Sequence, residues 1–464
     1  MTLITSISGI RGTIGGKPGE GLTPVDIVNF TSAYAGFIKA KTRNEKLRIV
    51  VGRDARISGP VVESLVTGTL NSMGIDVVLL GPATTPTVEI AVTRENADGG
   101  IILTASHNPA QWNALKLLNH KGEFLSASDG EQLMKRVETG NFSYADVYEL
   151  GGIEEKSYHQ VHINEVLGLD LVKPELISEA GFRVAIDCVN SVGGIIIPDL
   201  LYALGVKEVI ELYTEPDGNF PHNPEPLPEN LKDIADKIRE TQADLGFVVD
   251  PDVDRLAIVN EDGTMFGEEY TLVAVADYIL SHKPGNTASN LSSSRALKDI
   301  TRKYGMEYYS SAVGEVNVVE AMKMHQCVIG GEGNGGVIFP EFHYGRDALV
   351  GIALFLSHLA EKKLRCSELK ATYPQYVISK NKISLDEGMN VDLILSKLME
   401  EFPNEKINTI DGVKIDFDEG WVHLRKSNTE PIIRIYAEHR TRKEAEQLAG
   451  TIQEIVGKLS NSIT

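Results

Sequence analysis

Short, continuous apolar runs punctuate the first three quarters of this chain. Leu47-Arg48-Ile49-Val50-Val51, Gly100-Ile101-Ile102-Leu103, Val184-Ala185-Ile186 and Leu245-Gly246-Phe247-Val248-Val249 each end in polar or charged residues. Runs of this kind suit strands buried on both faces, between layers of helix. A second pattern recurs around them. Leu70-Asn71-Ser72-Met73-Gly74 precedes Ile75–Leu80, Leu201-Tyr202-Ala203-Leu204-Gly205 precedes Val206–Leu212, and Arg302-Lys303-Tyr304-Gly305 precedes Met306–Tyr309. Each reads as a helix closed by a C-cap glycine and followed by a short strand. Three copies, roughly 100–130 residues apart, predict three related α/β units.

The tail has another rhythm. An amphipathic helix over Val391–Phe402 is followed by strands near Ile407–Ile410, Gly412–Phe417, Gly420–Leu424 and Ile432–Glu438, then a closing helix over Lys443–Leu459. That order predicts a small α+β domain with an antiparallel sheet. The expected division is residues 1–155, 156–258 and 259–370 as α/β domains and 371–464 as the α+β domain. Thr23-Pro24 marks a helix start, with proline at its first turn.

Composition narrows the function. A chain of 464 residues predicts roughly three or four domains. The net charge of −20 argues against a nucleic-acid partner, since phosphate backbones need a basic surface. It does not exclude a small anionic substrate in a cleft lined by local cations. No apolar run reaches the ~18–20 residues of a membrane span, and the N-terminus lacks a basic leader. Three distant cysteines without C-x-x-C spacing predict a reducing, cytoplasmic setting and no disulfides.

Four loops carry candidate chemistry. Thr104-Ala105-Ser106-His107-Asn108-Pro109 closes a buried strand and presents a serine where α/β folds keep their active sites; alone it also fits a plain turn with a capping serine. Asp250-Pro251-Asp252-Val253-Asp254-Arg255 places three carboxylates at i, i+2 and i+4, the oxygen set Mg²⁺ prefers, with a solvated acidic turn as the bland alternative. Gly330-Gly331-Glu332-Gly333-Asn334-Gly335-Gly336 lets backbone approach a ligand while Glu332 and Asn334 bond adjacent hydroxyls; a functionless glycine hairpin fits it as well. Arg425-Lys426-Ser427-Asn428-Thr429-Glu430-Pro431 packs a guanidinium, hydroxyls, an amide and backbone N–H groups into one phosphate-sized turn. Arg11 stands between glycines in an otherwise structureless start, and Lys116 is near enough to Ser106 in sequence to share its cleft. Arg53 and Asp54 read as a paired-charge turn. Ser106 and His107, as neighbours, are expected to diverge, which excludes the serine–imidazole bond of a hydrolase triad.

In this order the motifs resemble the α-D-phosphohexomutase family: Gly9-Ile10-Arg11-Gly12, Thr104–Pro109, Asp250–Arg255, Gly331-Glu332-Gly333-Asn334-Gly335, and Arg425 to Pro431. The resemblance covers essentially the whole chain. It implies four domains around a central cleft, three similar mixed α/β units plus a C-terminal domain related to the TATA-binding-protein fold. It implies that Ser106 carries a phosphoryl group and, with Asp250, Asp252 and Asp254, binds Mg²⁺. By the same resemblance Arg11, His107 and Lys116 surround the phosphoserine, with Lys116 the better candidate general base and His107 its assistant. Arg255 contacts phosphate or sugar, Glu332 and Asn334 grip sugar hydroxyls, and Arg425, Ser427, Asn428 and Thr429 bind the phosphate that is not reacting. The implied reaction moves phosphate between O6 and O1 of a hexose through a hexose 1,6-bisphosphate.

Some positions depart from a single branch of the family. Asn334 and Gly336 stand where mannose- and glucose-phosphate members often have Ser and His. Ser427-Asn428-Thr429 resembles those members, whereas Glu430-Pro431 resembles the glucosamine type, and Ala114 replaces a common glycine. The pattern favours glucosamine 6-phosphate, with phosphoglucomutase/phosphomannomutase as the alternative. The expected assembly is a monomer or homodimer. Two other classes fit fewer features: a Mg²⁺-dependent sugar phosphatase, which would release phosphate without needing a bisphosphate, and a phosphosugar-binding protein that has lost activity. Retention of Ser106, the three aspartates and Lys116 counts against the latter.

Overall fold

The computed structural model describes residues 1–6, 9–42, 44, 46–384, 390–426 and 432–463. Its first elements are β1 (Leu3–Ser6), β2 (Gly9–Thr13), α1 (Pro24–Lys41), β3 (Leu47–Arg53), α2 (Gly59–Ser72) and β4 (Ile75–Pro82). Then come α3 (Thr85–Arg94), β5 (Gly99–Leu103), β6 (Trp112–Leu118), α4 (Ala127–Thr139) and β7 (Ile153–Glu155). The seven strands form one sheet in the order β1-β2-β6-β5-β3-β4-β7. Strands β5, β3, β4 and β7 run parallel, while β1, β2 and β6 add an antiparallel edge. Thr23 caps α1 and forms a capping box with Asp26, with Pro24 in the first turn as the sequence predicts. The start of the chain is not structureless: Arg11 lies on β2, opposite Ala114 of β6.

The next stretch holds α5 (His159–Leu167), α6 (Pro174–Ala180), β8 (Arg183–Asp187), α7 (Gly193–Ala203) and β9 (Glu208–Leu212). It closes with α8 (Lys232–Thr241), β10 (Leu245–Val249) and β11 (Leu256–Asn260), in a sheet ordered β11-β10-β8-β9. Beyond it lie α9 (Glu268–His282), β12 (Thr287–Asn290), α10 (Ala296–Lys303), β13 (Tyr308–Ser311), α11 (Glu315–Met324) and β14 (Ile329–Glu332). Strand β12 pairs in parallel with β13 on one side and β14 on the other. After β15 (Gly336–Ile338) come the buried helix α12 (Ala348–Lys362) and α13 (Cys366–Ala371).

The repeat read from sequence is present three times. Gly74, Gly205 and Gly305 adopt φ of +74°, +87° and +72° between a helix and the strand that pairs beside the first parallel strand of its sheet. A further copy-for-copy feature emerges at the carboxyl ends of β3, β8 and β12. Asp54, Asp187 and Asn290 each accept, through Oδ1, the N–H two residues on, from Arg56, Val189 and Ser292 at 3.0, 3.0 and 2.9 Å. The serine, aspartate and glycine-rich loops follow β5, β10 and β14, the equivalent third strands. Three loops of different chemistry thus occupy one topological position, at the carboxyl edge of a parallel sheet.

The C-terminal domain contains β16 (Val377–Ser384), α14 (Val391–Glu400), β17 (Lys406–Asn408), β18 (Val413–Asp416), β19 (Trp421–Lys426), β20 (Ile432–His439) and α15 (Arg442–Ile463). Its antiparallel sheet runs β16-β20-β19-β18-β17, with α14 and α15 over a core that includes Ile394, Leu398, Ile415, Leu424, Ile435 and Ile452. Strand β16 is absent from the sequence reading. As an edge strand it pairs only with β20 and buries little, so Val377-Ile378-Ser379-Lys380-Asn381-Lys382 gives a weak period-2 signal.

The chain divides into two compact units, Met1–Ile279 with Asn334–Lys370, and Leu280–Gly333 with Ala371–Thr464. Cys188, Cys327 and Cys366 are free thiols, and all three are buried. No described helix is long and apolar enough to cross a membrane.

Candidate active site

The first unit gathers most of the candidate chemistry. Strand β5, buried throughout, delivers the chain into the serine loop. Thr104 Oγ1 donates to Asp54 Oδ2 (2.6 Å) and accepts the Ser106 N–H (2.9 Å). Ser106 sits at φ +50°, an uncommon region for a residue with a Cβ. Beneath the loop, the wholly buried Arg56 guanidinium donates to three of its carbonyls, Ser106 (2.5 Å), Asn108 (2.6 Å) and Pro109 (2.8 Å), and to that of Trp112 at the start of β6 (3.0 Å). Its Nε is paired with Asp54 at 3.0 Å. Burial pushes the Asp54 carboxyl up, and Arg56 and Thr104 pull it the other way.

The aspartate loop meets this serine. Ser106 Oγ donates to Asp250 Oδ2 at 2.6 Å, and Asp250 Oδ1 accepts the N–H groups of Asp254 (3.2 Å) and Arg255 (3.1 Å). Val253, β-branched and buried, is held at φ +62°, a strained conformation that turns Asp252 and Asp254 back toward Asp250. The three aspartates are fully buried, with one ligand atom from each within 4.8 Å of the others.

Lys116 of β6 reaches Asp252 Oδ2 (2.6 Å) and Asp254 Oδ2 (3.1 Å), and Arg346 donates to Asp254 Oδ2 at 2.6 Å. Thr85 donates its hydroxyl to Asp252 Oδ2 at 2.5 Å. Burial and the neighbouring Asp254 and Asp252 push Asp250 well above the usual carboxylate range. Asp254 moves the other way, because Arg346, Lys116 and Arg255 outweigh its burial.

This donor set fits a hard divalent cation. Asp252 Oδ1 and Asp254 Oδ1 are buried and have no hydrogen-bond partner among the described residues, a costly state for carboxylate oxygens unless a cation completes it. Millimolar Mg²⁺ is therefore expected to stabilise the metal-free protein, by about 2.7 kcal/mol at a hundredfold excess over Kd, and so to raise its thermal midpoint. Differential scanning fluorimetry with and without a chelator measures it; an unchanged midpoint in Asp250→Asn identifies the triad as the binding site.

Arg11 lies 3.4 Å from Asn108 Oδ1. Arg255 approaches Asp254 Oδ1 at 4.0 Å and Glu225 at 3.6 Å. Burial, then Arg255 and Arg11, hold His107 well below its ordinary value, so its imidazole is neutral. Lys116 shows the opposite balance: burial favours the neutral amine, but Asp252 and Asp254 keep it an ammonium. One sequence expectation needs correction. His107 Nδ1 comes within 3.4 Å of Ser106 Oγ, because the left-handed turn at Ser106 brings neighbouring side chains together instead of splaying them. Lys116 is held between the candidate metal ligands Asp252 and Asp254.

The sugar-loop residues divide between the units. Asn334, in the first, accepts the Gly336 N–H. Glu332, in the second, accepts from Asn290 Nδ2 (2.8 Å) and the Gly314 N–H (3.2 Å). Also in the second unit, Arg425 lies 3.5 Å from Asp411, which accepts the Val313 N–H. Ser427, Asn428 and Thr429 lie outside the described residues. The sequence reading omitted Arg56, Thr85 and Arg346. The expected Arg53–Asp54 charge pair is replaced by two others: Arg53 pairs with Glu63, and the buried Asp54 pairs with Arg56. The signal for Arg56 was Asp-x-Arg directly after a buried strand, and for Arg346 it was Gly345-Arg346-Asp347 opening an apolar helix.

Comparison with known proteins agrees with this geometry. Four family models match in order: phosphoglucomutase/phosphomannomutase α/β/α domain I over residues 3–144, domain II over 160–263, domain III over 267–376 and the C-terminal domain over 382–455. A probable phosphoglucosamine mutase of Methanopyrus kandleri is 34% identical over 97% of this chain and 96% of its own. A phosphoglucomutase/phosphomannomutase of Thermococcus kodakarensis is 35% identical over 94% and 96%. The crystal structure of a phosphoglucomutase/phosphomannomutase family protein from Burkholderia thailandensis superposes with a TM-score of 0.84 at 26% identity, covering 99% of each chain. The class is therefore that of the phosphohexomutases, isomerase-type phosphotransferases built from three α/β domains and an antiparallel C-terminal domain. The chain belongs to the α-D-phosphohexomutase family, and its activity is that of a phosphoglucosamine mutase or a phosphoglucomutase/phosphomannomutase.

Proposed function

We propose that this phosphohexomutase converts glucosamine 6-phosphate to glucosamine 1-phosphate through a phosphorylated Ser106 and a hexose 1,6-bisphosphate. The observation that carries the mechanism is the 2.6 Å contact between Ser106 Oγ and Asp250, beside two buried aspartate oxygens that have no hydrogen-bond partner among the described residues. In the working enzyme Ser106 Oγ bears the phosphoryl group. The free sugar hydroxyl attacks phosphorus, the P–Oγ bond breaks, and the hydroxyl proton passes to a base. The bisphosphate then turns over and returns its other phosphoryl group to Ser106 Oγ.

Asp250, Asp252 and Asp254 would hold Mg²⁺, and its charge would offset the negative charge of the transferring group. Lys116, Arg11 and Arg255 add positive charge around the same phosphate. Lys116, held at Asp252 and Asp254, and His107, beside Ser106, are the two candidates to accept that proton. Asn334 and Glu332 bond the sugar hydroxyls, and Arg425 with Ser427, Asn428 and Thr429 binds the distal phosphate.

The glucosamine assignment rests on the Gly-Glu-x-Asn-Gly-Gly loop and on the Methanopyrus relative's name. The comparable match to the Thermococcus phosphoglucomutase/phosphomannomutase supports glucose or mannose phosphates as a second reading. ³¹P NMR with Mg²⁺ and catalytic hexose 1,6-bisphosphate separates them. Higher kcat/KM for glucosamine 6-phosphate than for glucose 1-phosphate or mannose 1-phosphate is the expected result. Equal or faster turnover of the latter two would overturn the sugar assignment, and bisphosphate-independent release of inorganic phosphate would overturn the mutase.

A further inference from the structure

Two helix N-termini clasp the aspartate loop. At the start of α3, the Thr85 N–H donates to the Asp252 carbonyl (2.9 Å) and its hydroxyl to the Asp252 carboxylate (2.5 Å). At the start of α12, the Ala348 N–H donates to the carbonyl of strained Val253 (3.2 Å), and Arg346, two residues earlier, holds Asp254. The loop's conformation therefore depends on how these two helices are set against each other.

A buried polar network fixes that setting. Asp347 caps α12 through Oδ1, which accepts the N–H groups of Leu349 and Val350. Its Oδ2 meets His162 Nε2 of α5 at 2.9 Å and His343 Nε2 at 3.1 Å. Both imidazoles reach α3 with their other nitrogen: His162 Nδ1 lies 2.9 Å from Thr87 Oγ1, and His343 Nδ1 lies 3.3 Å from Glu89 Oε2. His162, Asp347 and Glu89 are almost wholly buried.

The fit is close. A Cβ on Gly345 would lie 1.7 Å from Glu89 Oε2, so the α3 carboxylate presses on the backbone just ahead of Arg346. Asp347 and Glu89 outweigh the burial of His343 and raise it to about 10, so it stands as an imidazolium between two carboxylates at neutral pH. None of this network enters the phosphoryl-transfer steps.

We propose that Asp347, with His162 and His343 as two pins to α3, is a positioning residue that sets the geometry of the Asp252–Asp254 metal loop. The inference rests on the reading of Asp250, Asp252 and Asp254 as the metal site. Its chemistry is that of an outer shell: imidazoles and carboxylates that touch no ligand oxygen, yet determine where the ligand oxygens stand.

Mn²⁺ alone, titrated into the metal-free full chain and followed by electron paramagnetic resonance, tests it. D347N keeps a good helix cap and removes the charge. H343Q removes the cation and keeps an amide donor. In both, Mn²⁺ Kd is expected to rise roughly tenfold or more. Mutase kcat at fixed Mg²⁺ should fall alongside, with KM for the hexose phosphate unchanged and circular dichroism unaltered. H343A should lose more than H343Q. D250N serves as the reference and should abolish binding. If D250N abolishes Mn²⁺ binding while H343Q and D347N bind it as wild type does, the positioning role is wrong and the metal site stands. If D250N binds Mn²⁺ normally, the metal site is misassigned and the inference falls with it. Should D347N fail to fold, the H343Q titration decides alone.

Discussion

Ser106→Ala is expected to lose mutase turnover by at least about 10³-fold while remaining folded. Fold retention follows from what the hydroxyl does in the resting site. Its one strong bond is to Asp250 Oδ2, and Asp250 keeps two backbone N–H donors without it. Losing one bond to a buried acceptor costs about 1–3 kcal/mol, a fraction of the stability of a chain this size. The Arg56 bonds go to backbone carbonyls and survive the substitution. The chemistry has no such reserve, because without Oγ there is no atom from which the phosphoryl group can leave or to which it can return. Intact-protein mass spectrometry after incubation with hexose 1,6-bisphosphate reads the covalent step directly. Wild type should gain one phosphoryl group and the variant none. A phosphorylated, active Ser106→Ala would remove Ser106 from the mechanism and leave His107 as the nearest nucleophile.

Much of the layout was legible in the chain itself, for reasons that differ between elements. The buried parallel strands announce themselves as uninterrupted apolar runs, and the helix-to-strand glycines recur because positive φ leaves few alternatives at those positions. The aspartate loop was legible because three carboxylates within five residues, directly after such a strand, have few inexpensive explanations. Arg56 and Arg346 were not. Their role lies in which carbonyl or carboxylate they reach across the fold, and sequence spacing does not encode that. The ionisation states were hidden for the same reason. The motifs favour Lys116 over His107 as the base but do not say which of them carries a charge. Only the placement of two carboxylates beside one, and of Arg255 and Arg11 beside the other, sets them apart. The Asx turns at Asp54, Asp187 and Asn290 became visible only once the three sheets were aligned strand by strand.

Replacing Arg56 is expected to have the second-largest effect, on stability and turnover together. The guanidinium is wholly buried and directs its donors to Asp54, to three carbonyls of the serine loop and to that of Trp112. Phe220 covers it, 5.1 Å from its ring centroid. Arg56→Ala strands a buried carboxylate and uncaps four carbonyls, which should cost about 3–5 kcal/mol. Arg56→Lys is the more telling variant. An ammonium can still neutralise Asp54, but three donors on one nitrogen cannot span acceptors that a planar fork reaches on two sides. The stability loss in Arg56→Lys should therefore be smaller, about 2 kcal/mol in urea titrations, while kcat should still fall by roughly 10²-fold. The reason is geometric: Ser106 holds its left-handed backbone only while its carbonyl and those of Asn108, Pro109 and Trp112 stay anchored. A relaxed loop would move Oγ away from Asp250 by enough to spoil an in-line transfer. Wild-type kcat in a folded Arg56→Lys would show that charge alone suffices at this position, and that the serine loop keeps its shape without the fork.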